Sequence, residues 1–269
     1  MTKTLSIGDI HGRTNWKIIT HGSYMEYKMW DDAIAAGADA IAEVWSDMPF
    51  MKYDKIIFIG DYVDSFTSTD VTIKHNLIEI INFKKRMGDK VILLLGNHDV
   101  QYIVRDQICS GYRSQMRPDL SIIFGEELHL FTMAYQLEAE GKTYLWTHAG
   151  VTNGWLKELD KVLNNPKHRF YDIIREKNPE TIADKINLAW EMRLDVLYNV
   201  DHHSGGWQTW AGPLWVRPHV LNERPVENVT QIIGHTNQAE IWSLEVQENV
   251  VHHFIDVTEF CDNGLELEI

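Results

Sequence analysis

Lys55-Ile56-Ile57-Phe58-Ile59-Gly60-Asp61-Tyr62-Val63-Asp64 is the stretch whose reading decides the fold. The unbroken apolar run from Ile56 to Ile59 suits a strand covered on both faces, and Gly60 ends it in a turn bearing two carboxylates. Open α/β sheets carry their chemistry at the carboxyl ends of such strands, so Asp61 stands where a site is expected. An isolated Gly-Asp is explained well enough by turn or helix capping. This one recurs. Leu5 to Ile7 runs into Gly8-Asp9-Ile10-His11-Gly12, and Val91 to Leu95 into Gly96-Asn97-His98-Asp99. Thr143 to Trp146 ends in Thr147-His148-Ala149-Gly150, and Val229 to Ile233 in Gly234-His235-Thr236. Asp9 and His11 are two apart, so on an extended strand end they project to one side.

Between these strands the apolar spacing turns helical. Residues 14–48 carry Ile18, Met25, Met29, Trp30, Ile34, Ile41, Val44 and Trp45 at three- and four-residue intervals, interrupted at Gly37 and expected as core packing on the sheet. Thr69 and Asp70 start a crossover helix that keeps its period through Ile73, Leu77 and Ile81 to Gly88. Strand, helix, strand in alternation predicts a mostly parallel sheet with right-handed connections. A helix is expected around Glu126 to Met133, a hairpin about Glu140-Gly141-Lys142, and helices from Val151 to about Val200. Ile241 to Val246 and Val250 to Val257 read as closing strands, with His252 and His253 on opposite faces as structural residues. His202 and His203 lie in a loop where solvation explains them without a metal. Trp207, Trp210 and Trp215 either cover core or line a cleft.

At 269 residues and 44% hydrophobic content the chain suits one α/β domain, residues 1–269, with helical insertions at about 100–133 and 151–213. A formal charge of −14 argues against bulk affinity for nucleic acid or anionic membrane. Cys109 and Cys261 are too few and too far apart in sequence for a disulfide framework or a thiolate zinc site. No run resembles a signal peptide or approaches the roughly eighteen apolar residues of a membrane span. A cytoplasmic protein is expected, and oligomeric state is left open.

Asp9, His11, Asp61, Asn97, His98, His148 and His235 all stand at element ends. Asp, His and Asn without cysteine form an oxygen and nitrogen ligand set for borderline divalent ions such as Mn, Fe or Zn. They are too many for one ion, and a carboxylate between two ligand groups can bridge two ions about 3.5–4 Å apart. Asp61 is the candidate bridge.

In order and spacing these motifs resemble the calcineurin-like metallophosphoesterase superfamily. Gly60 to Asp64 and Leu214-Trp215-Val216-Arg217 most resemble its phosphoprotein phosphatase branch, especially small bacterial and phage members. The resemblance spans residues 8 to 236 and implies a β-sandwich of mixed sheets flanked by helices. It implies two divalent ions, manganese foremost in vitro, one held by Asp9, His11 and Asp61 and the other by Asp61, Asn97, His148 and His235. Metal-activated water would attack phosphorus, His98 would protonate the leaving alkoxide, Asp64 would orient His98, and Arg217 would clamp the phosphoryl oxygens. The implied substrate is a phosphoserine or phosphothreonine peptide or protein, with cleavage of a dinucleoside polyphosphate as the alternative and an inactive scaffold as a minor one.

Three departures bear on substrate. Ser65-Phe66 follows Asp64 where the branch commonly has Arg-Gly, which removes one phosphate clamp. Asp99 replaces a usual Glu, a form familiar in dinucleoside-tetraphosphate hydrolases. Asn237 stands where many other superfamily members place a second histidine, which favours the protein-phosphatase and tetraphosphatase branch over nucleases and cyclic-nucleotide enzymes.

Overall fold

The computed structural model describes residues 1–259 and 261–269. Its first sheet is built from β1 (Lys3–Ile7), β2 (Lys55–Phe58), β3 (Val91–Leu94) and β4 (Phe131–Thr132), all parallel, with β10 (Leu265–Glu268) antiparallel on the β1 edge. The second contains β5 (Ala134–Ala139), β6 (Lys142–Thr147), β7 (Val229–Ile233), β8 (Trp242–Gln247) and β9 (Val250–Phe254), in the order β5-β6-β7-β9-β8. Here β6, β7 and β9 are parallel, and β5 and β8 pair antiparallel at the two edges.

The period-2 geometry of a strand explains why Ile56 to Ile59 is apolar throughout. Ile57 and Ile59 point between the sheets and pack with Leu94, Trp146, Ile232 and Ile255. The Trp146 indole N–H crosses that layer to the Ser6 hydroxyl at 2.9 Å. Ile56 and Phe58 face the other way, into a core shared with the helices. That layer includes α1 (Asn15–His21), α2 (Tyr24–Ala35) and α3 (Asp70–Met87). Thr69 caps α3 by accepting from the Thr72 amide, as its sequence position suggests. The hairpin turn forms at Glu140-Gly141, both with positive φ, which is the conformation a two-residue β-turn of this twist requires.

Several expectations need correction. Helix α2 stops at Ala35, and beyond Gly37 two short 3₁₀ turns, Glu43–Trp45 and Pro49–Lys52, lead to β2. Ile41 and Val44 are exposed, as are Met25 and Met29, so the apolar stripe is core at Trp30 and packs against the core in part at Ile34 and Trp45. Glycine after Ala36 lets the chain turn away from the sheet instead of kinking a continuous helix. The helix expected at Glu126–Met133 lies earlier, as α5 (Arg117–Glu127), with Pro118 in its first turn, where a missing N–H costs nothing. Residues 131–132 form β4 instead. The remaining helices are α4 (Asn97–Ile103), α6 (Asn153–Leu163), α7 (Tyr171–Lys177), α8 (Ile182–Glu191) and α9 (Pro218–Glu223). Strand β10 was not anticipated. His252 is buried and bonded to Asn222, whereas His253 bonds Ser243 on the opposite face, the structural roles expected of them.

Candidate metal and catalytic centre

The carboxyl ends of β1, β2, β3, β6 and β7 converge, and each delivers side chains predicted from the sequence. Four of these residues, His11, Asp61, Asp64 and His235, have φ between 45° and 65°. Left-handed backbone at a non-glycine residue is disfavoured, and its concentration at one place marks a segment held by something other than local preference. Two glycines permit the approach of chain to chain. A Cβ at Gly96 would lie 2.0 Å from Asp61 Oδ1, and one at Gly234 would lie 2.0 Å from Asp9 Oδ1. Any side chain there would displace a carboxylate.

Hydrogen bonds aim the donors inward. Asp61 Oδ1 accepts the His98 amide at 2.9 Å, which leaves Oδ2 facing His148 Nε2 at 3.4 Å and His11 Nε2 at 3.7 Å. The His11 Nδ1–H donates to the Asp64 carbonyl at 2.7 Å, and the His148 Nδ1–H to the Ile59 carbonyl at 3.1 Å, so each presents an Nε2 lone pair. Burial first of all depresses the His11 imidazole to about 4 and that of His148 to about 3, and it also holds His235 well below its ordinary value. Neutral imidazoles are ligands; imidazolium ions are not.

Asn97 Oδ1 lies 2.9 Å from His148 Nε2 and 3.0 Å from His235 Nδ1. With the His148 proton committed to Ile59, an amide oxygen and an imidazole nitrogen face each other as two acceptors. Such a juxtaposition is repulsive unless a cation lies between them. The carboxylates carry the same signature. Asp9 and Asp61 are buried, and desolvation first, then the charges of Asp256, Asp61 and Asp99 on Asp9 and of Asp99, Asp256 and Asp64 on Asp61, raises both well above the usual range. Donor atoms of Asp9, Asp61 and His148 fall within 4.8 Å of one another, as do those of His11, Asp61 and His98, and Asp61 is common to both groups. The residues present therefore fit two divalent ions sharing one carboxylate.

His98 is the member least suited to ligation. Its Nδ1 lies 3.2 Å from Asp64 Oδ2. Burial pulls its imidazole down, but hydrogen bonds to Asp64 and Cys109 outweigh that and bring it up to about 9. A protonated ring next to a ligand cluster is an acid. Arg217, at the amino end of α9, reaches the centre through Thr236, with Nη1 3.5 Å from the threonine hydroxyl, and the Trp215 ring packs edge-on against His235. All nine predicted site residues are thus brought to one place.

Other members were not named as site residues from the sequence, Asp99 having entered only as a departure bearing on substrate. The Gln101 amide and Tyr102 hydroxyl both donate to the Asp64 carboxylate. They lie three and four residues after His98 on α4, so helical spacing was the signal that could have found them. The Asp99 carboxylate accepts the amides of Asp61, Tyr62 and Gly96, tying the β2 and β3 ends together; burial lifts it to about 7. Asp256 follows β9 as a fifth strand-end acid, beside Asp9 in its electrostatics, with Oδ1 buried and unpartnered among the described residues. No glycine precedes it. At the departure from the usual Arg-Gly, Ser65 caps the amides of Thr67 and Ser68, Phe66 is 83% exposed, and the Arg113 guanidinium is engaged by Asp70 and the Ser65 and Ser68 carbonyls.

The profile of the family described as calcineurin-like phosphoesterase matches residues 2–238. No curated protein sequence matches the chain. Among solved structures, a cold-active protein-tyrosine phosphatase of a psychrophilic Shewanella species shares 17% identity over 96% of this chain and 72% of its own, with a TM-score of 0.48. A serine/threonine phosphatase from Saccharomyces cerevisiae shares 16% identity over 94% of this chain and 67% of its own, with a TM-score of 0.41.

Proposed function

Because the chain belongs to the calcineurin-like phosphoesterase family, we propose that it hydrolyses phosphomonoesters of the phosphoserine and phosphothreonine kind on peptides or proteins. The coarser statement, a metal-dependent hydrolase of phosphoric esters, follows from the family and the two donor clusters that share Asp61. In this reading Asp9, His11 and Asp61 hold one ion, and Asp61, Asn97, His148 and His235 the other, with manganese the ion of choice for assay. When bound, such ions polarise phosphoryl oxygens and acidify water.

The chain's own residues do the rest. Asp64, fixed by Gln101 and Tyr102, holds the His98 imidazolium by Nδ1 so that its Nε2–H would donate a proton to the leaving oxygen as the P–O bond breaks. Arg217 offers two N–H groups to the phosphoryl oxygens, a geometry its planar fork suits better than lysine would. The observation that carries this reading is the His98–Asp64 pair beside the shared Asp61, since a protonated donor is needed when the leaving group is a poor one such as a serine alkoxide.

Cleavage of a dinucleoside polyphosphate is the second reading, favoured by Asp99. Against it stands the placement of the tryptophans that could stack on a base: Trp207 is 97% exposed, and Trp210 lies over Gly154 with the Arg224 guanidinium 4.6 Å from its ring. Trp210 lines a groove of about 550 Å³ with Asn153, Lys157 and Pro225, and the groove walls include none of the ligand residues. A phosphate-release screen with Mn²⁺ over phosphopeptides, dinucleoside polyphosphates and cyclic nucleotides separates the readings. Turnover of the polyphosphates far above every phosphopeptide would overturn the first.

A further inference from the structure

Outside this centre the chain assembles a second set of imidazoles. His202 and His203 lie in a 3₁₀ turn, His219 in the first turn of α9, and all three are exposed. His203 Nδ1 and His219 Nε2 face each other at 3.2 Å. The same separation divides His148 Nε2 from His235 Nδ1 at the ligand cluster. Two nitrogens bound to one tetrahedral zinc ion at 2.0–2.1 Å stand about 3.3 Å apart, so the pair is already at ligating distance. The His202 ring lies against that of His203, with centroids 3.9 Å apart and planes tilted by 40°, which places a third imidazole next to the pair.

The backbones that carry these rings are held independently of any ion. Asp201, buried, caps the turn by accepting the amides of His203 and Ser204, and the Gly206 amide closes back on the Asp201 carbonyl at 2.8 Å. The Ser204 hydroxyl fastens the turn to the Trp215 carbonyl at 2.7 Å, and Pro218 sets the first turn of α9. Two donors 16 positions apart in sequence are therefore presented together without ordering a flexible loop, which lowers the entropic cost of binding.

We propose that His203 and His219, with His202 as third donor, form a peripheral site for a borderline divalent cation, zinc in the first instance. A purely imidazole set excludes the hard ions Mg²⁺ and Ca²⁺ and ranks Zn²⁺, Ni²⁺ and Cu²⁺ above Mn²⁺. An ion here ties the 201–206 turn to α9 two residues beyond Arg217, and so braces the segment that carries Trp215 and Arg217 against the centre. The site is independent of the phosphatase reading.

Zinc alone is the probe, on the full chain. After dialysis against one free Zn²⁺ concentration, the wild type should retain one more ion than either His203→Ala or His219→Ala, while Asp61→Asn should lose zinc at the centre and keep the extra ion. In ¹⁵N spectra of the imidazoles, Zn²⁺ should shift Nδ1 of His203 and Nε2 of His219 in both wild type and Asp61→Asn. Equal zinc content in the wild type and both histidine variants, or unmoved resonances of His203 and His219 in the wild type, overturns the site. Zinc loss confined to Asp61→Asn assigns every ion to the centre and overturns it equally.

Discussion

Asp61 is the residue on which the centre turns. One oxygen is spent on the His98 amide and the other is presented to His11 and His148, so the side chain meets both halves of the ligand set through Oδ2. Asp61→Asn replaces a charged oxygen with a neutral group and should abolish turnover while loosening both ions. Near-normal activity with full metal content, measured by metal analysis and phosphate release, would dismiss the bridge. His98→Asn should behave differently. Its metal content should stay at wild-type level, and the rate on substrates with poor leaving groups should fall by roughly 10²–10⁴, the range of general-acid assistance. Little change on an activated aryl ester, which needs no proton, distinguishes a lost acid from a damaged site. Arg217→Ala should chiefly raise KM, because the guanidinium approaches the cluster only from its Thr236 side. An unchanged KM removes it from the substrate's surroundings.

At the scale of elements, β2 and β3 were readable because burial on two faces demands an unbroken apolar run, and the ends of β1, β2, β3 and β7 because glycine permits close approach, whereas β4 and β10 carried no such signal. Helix α3 was readable to its cap. Helix α1 holds a feature that no pattern announced: His21 is buried among Trp16, Tyr27, Trp30, Phe50 and Phe83, with Nδ1 at 2.7 Å from Thr20 Oγ1 and Nε2 without a partner among the described residues. Burial above all, and then the neighbouring Lys17 charge, lowers its imidazole to about 3, only partly countered by a backbone hydrogen bond. A histidine neutral in the fold and titrating near 6.5 when unfolded contributes nothing to pH dependence above that value. Below it the unfolded state takes up the proton first, so stability falls by about 1.4 kcal/mol per pH unit from 6.5 down toward 3. His21→Leu should flatten that limb. The test is denaturant unfolding of both proteins between pH 7 and 4. Carboxylates common to both cancel in the difference, and parallel curves would show that His21 stays protonated or exposed.

For the molecule as a whole, the donors come from five strands in two sheets, and the layer of Ile57, Ile59, Leu94, Trp146, Ile232 and Ile255 sets the distance between them. Buried acids gathered without a lysine or arginine among the ligands leave a charge deficit, so ions that fill the centre should also hold the sheets together. Ion at 100 times its dissociation constant stabilises the native state by about 2.7 kcal/mol per site. Chelation should therefore lower Tm by about 5–10 °C, with recovery on adding Mn²⁺. An unchanged Tm in calorimetry would mean that the donors do not retain ions.

By itself the sequence determined the local facts: that β1, β2, β3, β6 and β7 are strands, that four of them end in Gly-Asp, Gly-Asn-His or Gly-His, and which atoms could ligate. These follow from short-range rules, namely side-chain period, glycine's freedom and donor chemistry. Only the tertiary structure decided that β10 closes the β1 edge, that Ile41 and Val44 lie outside the core, and that Asp256 stands beside Asp9. It also decided that His203 meets His219. Each of these depends on contacts between residues far apart in the chain, and such contacts leave no periodic trace in the segments that make them.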